Sequence, residues 1–269
     1  MDPVFGIYFI LLKYVAPNFP ESFQHRGLRM QRIYYPYIVW QQGSLWERKF
    51  IVKIEQQMDE IYSTLSAADI PWNMESPPEA LKKWVGSGWV KPCRGIDIGC
   101  GLGGNTMWFA RMGFEMTGID CSGVAISQAR KRMKELGVYC NFVTGNILNG
   151  IPELQPPYGF ALDWEVLHHI LPPDRPAFVR AVAGLLEPGG RYLSCCFSIE
   201  DSMGEGSGPY RTTRLGTHLY FSTEDELRLL FTPFFDVFDL STIDLEGKSA
   251  SHKCLLSALV RNDRPLSEG

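Results

Sequence analysis

The 269-residue chain has no excess of positive charge: 26 Lys and Arg stand against 30 Asp and Glu, for a formal net charge of −4. A general electrostatic grip on nucleic acid needs a basic surface, so no nucleic-acid partner is expected. There is no C-x-x-C pair, and seven cysteines is an odd number, so a complete internal set of disulfides is excluded. Adjacent Cys195 and Cys196 are poorly spaced for an ordinary disulfide or a zinc site. With His252 and Cys254 they could bind a soft metal, but buried small residues on two strands account for them better, and no metal is expected. Such cysteine usage fits a reduced, cytoplasmic protein. No apolar run approaches the ~20 residues that span a bilayer. Val4 to Leu12 is broken by Lys13 and preceded by Asp2, without the basic residues of a signal peptide, so neither a membrane span nor a cleaved leader is expected. Repeats and low-complexity tracts are also missing. What remains is an ordinary globular composition, 45% hydrophobic and 21% charged, with length for one large domain and a small appendage.

Residues 1–70 read as a helical, aromatic-rich N-terminal extension. Ser44-Leu45-Trp46-Glu47 is a capping-box signal. It opens a helix whose apolar residues Trp46, Phe50, Ile54, Met58, Ile61 and Leu65 recur every three or four positions. Arg26, Arg29 and Arg32 share a face of an earlier helix and read as a solvated row, with contact to an anion as the sharper alternative. Pro71, Pro77 and Pro78 mark the join to residues 71–262, where helix and strand alternate. Strands are expected at Arg94 to Gly99, Glu115 to Asp120, Asn141 to Gly145, Gly159 to Trp164 and Arg191 to Phe197. Helices lie between them, the last from Asp174 to Glu187 and stopped by Pro188-Gly189-Gly190. Strict alternation predicts right-handed crossovers and a parallel sheet with helices on both faces. After a helix capped at Ser222-Thr223, two strands near 236–245 and 253–260 are joined by a short link and predict an antiparallel hairpin. Residues 263–269 form a tail.

Gly95-Ile96-Asp97-Ile98-Gly99-Cys100-Gly101-Leu102-Gly103-Gly104 is the most informative stretch. A strand runs into a glycine burst and then a helix, which sets backbone N–H groups against a nucleotide-like ligand. Gly99, Gly101 and Gly104 satisfy the dinucleotide pattern G-x-G-x-x-G. Asp97, Gly99, Gly101 and Gly103 equally satisfy D-x-G-x-G-x-G. A pyrophosphate wants the helix dipole and no nearby carboxylate, whereas an aminoacyl sulfonium wants a carboxylate near its ammonium and bare backbone near its own carboxylate. Asp97 favours the second ligand.

These motifs resemble the class I methyltransferases that use S-adenosylmethionine (SAM), over about residues 72–262. The resemblance implies an α/β fold: a doubly wound, mostly parallel seven-stranded sheet with a C-terminal antiparallel hairpin. It also implies SAM as cofactor, a methyl acceptor that is a small molecule, and release of S-adenosylhomocysteine (SAH). Asp97, Gly99, Cys100, Gly101 and Gly103 would hold the aminoacyl end. Asp120, at the end of the second strand, would accept the ribose hydroxyls, since a carboxylate offers two acceptor oxygens. Cys121 would flank the adenine, Asn146 would bond its edge, and Ile147 would pack on its face. Many family members carry Asp where Asn146 stands. Asp163 or Trp164, in Phe160 to Ile170, would border the methionine part. Leu185-Leu186-Glu187-Pro188-Gly189-Gly190 resembles the family's L-K-P-G-G turn.

Glu165, His168 and His169 follow the fourth strand and could take a proton from an acceptor. His168 is the catalytic candidate, because histidine titrates near neutrality. Pro71-Trp72-Asn73 resembles the P-W-D segment of thiopurine and thiol or halide methyltransferases, where an aromatic covers the cofactor. Trp72 could do the same, as a sulfonium attracts aromatic faces. The segment 198–219, glycine-rich and following the fifth strand, reads as a lid whose Tyr210 and Arg211 would touch substrate. The N-terminal extension could serve as a lid or a homodimer contact. Protein or RNA methylation is the alternative activity, though no N-P-P-Y-type motif appears. An NAD-dependent oxidoreductase, opposed by Asp97, the Pro188-Gly189-Gly190 turn and the terminal hairpin, and a protein that holds SAM without catalysis are further alternatives; the intact glycine turn argues against a ligand-free scaffold.

Overall fold

A computed structural model of the protein describes residues 54–204 and 208–266. The capping box at Ser44, the arginine row and Val4 to Leu12 lie outside the described residues. The chain begins with α1 (Ile54–Thr64) and α2 (Glu79–Gly86), then alternates β1 (Arg94–Ile98), α3 (Gly104–Arg111), β2 (Glu115–Asp120), α4 (Gly123–Leu136), β3 (Asn141–Thr144), β4 (Tyr158–Trp164), α5 (Arg175–Leu185) and β5 (Leu186–Phe197). It continues through β6 (Tyr210–Thr212), β7 (His218–Tyr220), α6 (Glu224–Phe231), β8 (Phe235–Glu246) and β9 (Ser251–Arg261). The main sheet has seven strands in the order β3-β2-β1-β4-β5-β9-β8. Strands β1 to β5 pair parallel, and β9 and β8 join antiparallel. The chain reverses its direction of winding between β1 and β4, so the C-terminal ends of these two strands form the crevice where open α/β sheets bind ligands.

Both sheet faces are covered. On one, Ile96 and Ile98 pack with Phe178, Val182, Leu227 and Phe231 from α5 and α6. On the other, Phe160 and Leu162 pack with Leu81 of α2 and Phe109 of α3. Cys195, Cys196 and Cys254 are wholly buried in these layers, where each acts as a small apolar side chain. The helix ends follow local chemistry. Ser122 accepts from the Ala125 N–H at 3.0 Å to cap α4, and Gly137 closes it in the left-handed conformation. Thr223 and Glu226 cap α6 reciprocally. Among the described residues no helix is long and apolar enough to cross a membrane.

Two expectations are corrected. Helix α5 ends at Leu185, before Pro188-Gly189-Gly190, and Leu186 already pairs with Tyr158 on β4. The register then jumps to Phe160 opposite Arg191, so Glu187 to Gly190 form a bulge within β5 and do not stop a helix. Burial of Leu186 and its ladder pairing outweigh another helical turn, which Pro188 could not have joined in any case. Second, the segment 198–219 holds an antiparallel hairpin, β6 with β7. Leu219 and the neighbouring Phe221 are core residues, which pins the hairpin to the sheet and argues against a freely swinging lid.

Candidate functional site

The turn after β1 is shaped by close approach. Gly99 has φ 67°, and a Cβ placed there would lie 2.3 Å from Val166 Cγ2. At Gly101, with φ 53°, a Cβ would lie 2.8 Å from the Tyr62 hydroxyl. Only glycine fits such a conformation and such contacts. Asp120 ties the turns together: its Oδ2 accepts from the Gly101 N–H at 2.9 Å and its Oδ1 from the Ser122 N–H at 2.8 Å. Each oxygen keeps a further lone pair. Asp97 accepts a 2.5 Å bond from Thr106 Oγ1 at the start of α3. Burial pushes Asp97 up to about 7 and raises Asp120 above the usual carboxylate range. Among the described residues neither carboxylate has a Lys, Arg or His within ion-pair distance. The half-buried Cys100 and Cys121 flank these acids as thiols, Cys121 pushed up to about 12 chiefly by burial.

Helix α1 lies across this edge. Asp59 Oδ1 accepts from Ser122 Oγ at 2.5 Å and from the Val124 N–H at 3.1 Å. Gln128 Nε2 donates to the Tyr62 carbonyl at 2.7 Å, and Asn146 Nδ2 donates to Glu55 Oε1 at 2.9 Å. Trp72 Nε1 donates to the Tyr62 hydroxyl at 2.9 Å. Glu55, Asp59 and Tyr62 thus reach the turns after β3, β2 and β1 in order. The sequence reading missed all three. Their i, i+4, i+7 spacing beside the apolar stripe was the available signal. Asn146 also receives the Leu148 N–H on Oδ1 at 3.0 Å, which makes it the cap of a short 3₁₀ turn. Ile147, half-buried, packs on the main core. A cleft of about 580 Å³ opens here, lined by Ile54, Glu55, Asn146, Leu148, Asp174 and Ala177 among others.

The end of β4 departs from expectation. Asp163 does not border the edge: it is wholly buried, accepting from Tyr192 Oη at 2.5 Å and from the Leu167 N–H at 3.2 Å. Trp164 is core. His168 is also buried, stacked on Phe197 with ring centres 4.3 Å apart, and its Nδ1 accepts from the Phe197 N–H at 3.4 Å. A neutral ring that accepts at Nδ1 carries its proton on Nε2 and is no base there. Burial, with His169 and Arg175 nearby, holds its pKa well below the usual histidine range. His168 therefore stands as a packing residue, stacked on Phe197 of β5. Burial also lowers His169 to about 4.

Arg175 clamps the turn that carries these histidines. It donates to the carbonyls of Leu167, Ile170 and Tyr220 at 3.0, 2.8 and 3.1 Å and to Ser222 Oγ at 2.7 Å. Arg211, expected to touch substrate, is spent on its own segment. It donates to carbonyls of Ile199, Asp201, Met203 and Gly208 and lies 4.1 Å from the Phe221 ring centre. Tyr210 is 57% exposed and edges onto Tyr220. Two candidates keep an uncommitted polar group: His169 Nδ1 is buried without a hydrogen-bond partner among the described residues, and the other is Glu165. It has φ 65°, its N–H donates to the Cys195 carbonyl at 2.8 Å, and its carboxyl group makes no hydrogen bond or ion pair among the described residues.

The sheet order, the closing antiparallel pair and a glycine-rich turn at the switch point define the Rossmann-like class I methyltransferase fold. Residues 96–190, about a third of the chain, match the family model described as a methyltransferase domain. The ubiquinone biosynthesis O-methyltransferase of Proteus mirabilis is 33% identical over 95 residues, or 35% of this chain and 38% of that protein. The protein of the same name from Methylobacterium nodulans is 33% identical over 99 residues, or 37% and 39%. The chain therefore matches about two fifths of the length of these curated relatives. A solved structure described as concerning the conversion of a disulfide bond into a thioacetal group during echinomycin biosynthesis has a TM-score of 0.66 at 19% identity, covering 78% of this chain and 93% of that one. Magnesium protoporphyrin IX methyltransferase from Synechocystis PCC 6803 with bound SAH has a TM-score of 0.52 at 16% identity, covering 81% and 92%.

Proposed function

We propose that the protein is a SAM-dependent methyltransferase that moves a methyl group to an O, N or S atom of a small molecule and releases SAH. One observation carries the reading: Asp97 and Asp120 are buried at the glycine turn with no cation bonded to either among the described residues. A ligand bearing an ammonium and a sulfonium brings the missing positive charge. The pyrophosphate of a dinucleotide would add negative charge beside two carboxylates.

The residues fit the cofactor. Gly99 and Gly101 leave bare backbone for its carboxylate, Asp97 suits its ammonium, and the remaining lone pairs of Asp120 suit ribose hydroxyls. Cys121, Asn146 and Ile147 would border the base, and Asn146 also lines the cleft. When bound, SAM supplies an electrophilic methyl group on positively charged sulfur. The chain contributes placement: the turn fixes the ligand, α1 and Trp72 cover the edge and exclude water, and the end of β4 receives the acceptor. The relatives named O-methyltransferases support a small acceptor. The seven free thiols support a reducing compartment, and we extend the reading to the cytoplasm.

The test is a thermal-shift titration with SAM, SAH, NAD and NADP. A ligand that binds only the native state raises apparent stability, so SAM and SAH should raise Tm and the dinucleotides should not. Stabilisation by NAD alone would overturn the proposal.

A further inference from the structure

We propose that Glu165 is a catalytic residue: its carboxylate takes the proton from a weakly acidic O–H or N–H acceptor as that acceptor is methylated. This rests on the methyltransferase reading above. It also narrows the acceptor from any O, N or S nucleophile to a protic one that needs a base.

Three independent observations meet at this side chain. The backbone is the first: among the described residues Glu165 is the one non-glycine residue with positive φ. A left-handed Glu is costly and persists where the surroundings impose it, which is characteristic of functional sites. The second is partnership. Asp97, Asp120, Asp163 and Asp201 are buried acids of this fold, and each accepts at least one hydrogen bond. Glu165 is half-buried yet accepts none among the described residues. A group that holds nothing together and strains the chain is not explained by packing. The third is place. Glu165 follows β4 directly, and its neighbour Val166 is the side chain pressed against Gly99. Glu165 is therefore the chain neighbour of the residue that packs on the turn that would hold the methyl donor.

Electrostatics agrees. Burial pushes Glu165 up to about 7, and its charge helps raise the Cys195 thiol on β5. A base poised near neutrality is the efficient case for proton transfer. His168 cannot substitute, since its Nδ1 already accepts from backbone.

The step balances. The acceptor X–H gives its proton to Glu165, and its electron pair forms the X–CH3 bond. The S–CH3 bond breaks, its electrons return to sulfur, and SAH leaves as a neutral thioether. Glu165 ends as the neutral acid and later releases the proton to water.

The experiment uses the full chain and two variants, E165Q and E165G. Tm and SAH affinity are measured for each, and the Glu165 carboxyl is followed by carbon-13 NMR as the signal absent from E165Q. Methyl transfer from SAM is assayed against 4-methylcatechol, benzylamine and benzenethiol as probes. SAH affinity should stay within about twofold, and Tm should hold in E165Q and rise by about 2–4 °C in E165G. The carboxyl should titrate near neutrality. With the O–H or N–H probe, E165Q should lose roughly 100-fold or more in rate and the rise with pH, while transfer to the already ionised thiol is spared. A Tm lowered by several degrees in both variants, a carboxyl titrating in the ordinary range, or undiminished O–H and N–H transfer in E165Q overturns the proposal. If no probe accepts the methyl group, the first two results decide it. Failure of the wild-type protein to bind SAH overturns the methyltransferase reading instead.

Discussion

The turns after β1 and β4 sit side by side at the same sheet edge, yet they are built on opposite principles. Around the turn after β1, the acids are locked: Asp120, at the end of β2, is held by two backbone N–H groups and Asp97, within β1, by Thr106. Strain is avoided there because glycine occupies each left-handed position. After β4, Glu165 adopts the same left-handed conformation without being glycine, and its carboxyl group is unbonded among the described residues. The first turn is organised to hold a constant ligand. The second stores strain beside it. A fold that binds one cofactor and serves a particular acceptor would divide its edge in this way.

The comparison can be broken most severely at Gly99. Gly99→Val would force a side chain to within 2.3 Å of Val166 Cγ2 at φ 67°. Strain and overpacking together should cost roughly 3 kcal/mol or more. SAH binding by calorimetry should be lost. Retained affinity would mean that the turn is not the cofactor site. Next is Arg175, which joins the β4 turn to the segment around β7. Arg175→Met leaves three carbonyls and a hydroxyl without their donor and should cost about 3 kcal/mol in urea unfolding, with m unchanged. A cost below about 1 kcal/mol would show that the turn holds its shape alone.

The pH dependence separates the two turns further. Asp97 and Glu165 are both pushed up to about 7 by burial, so the fold favours their protonated forms. The stability they contribute is present below the ordinary carboxylate range and is lost as pH rises through about 7. Tm of the free protein should fall over that interval. E165Q should remove part of the decline, whereas saturating SAH should remove the part due to Asp97, since its ammonium favours the charged form. A flat Tm profile in the free protein would contradict both. Smaller still is Tyr62→Phe, which deletes the acceptor of the Trp72 N–H and should cost about 1 kcal/mol. The least effect is expected at Tyr210→Ala, within about 0.5 kcal/mol of wild type by thermal unfolding.

Legibility in the sequence follows the same division. Strand alternation, the glycine turn and the acid after β2 are local patterns, and each appears where the residues placed it. The start of β5 was misread because Pro-Gly-Gly signals a break without saying whether a helix ends or a strand bulges. Sheet pairing decided that. His168, Asp163 and Arg211 were misread for a different reason. Their residue types suggest chemistry, but their bonds run to Phe197, Tyr192 and Ile199, residues 12 to 29 positions away. Glu55, Asp59 and Tyr62 were missed because a polar helix face looks the same whether it meets water or a binding edge.

The place of β9 has a consequence for biosynthesis. It fills the gap between β5 and β8, pairing with both. During synthesis β5 emerges first, then β8, and neither can pair across that gap until β9 leaves the ribosome. The nascent chain therefore carries two open strand edges, one of them on the strand whose carbonyl anchors Glu165. Such edges template association with other chains. Slow elongation or pausing before residue 251 should prolong that exposure and favour aggregates. Emergence of β9 closes both facing edges together.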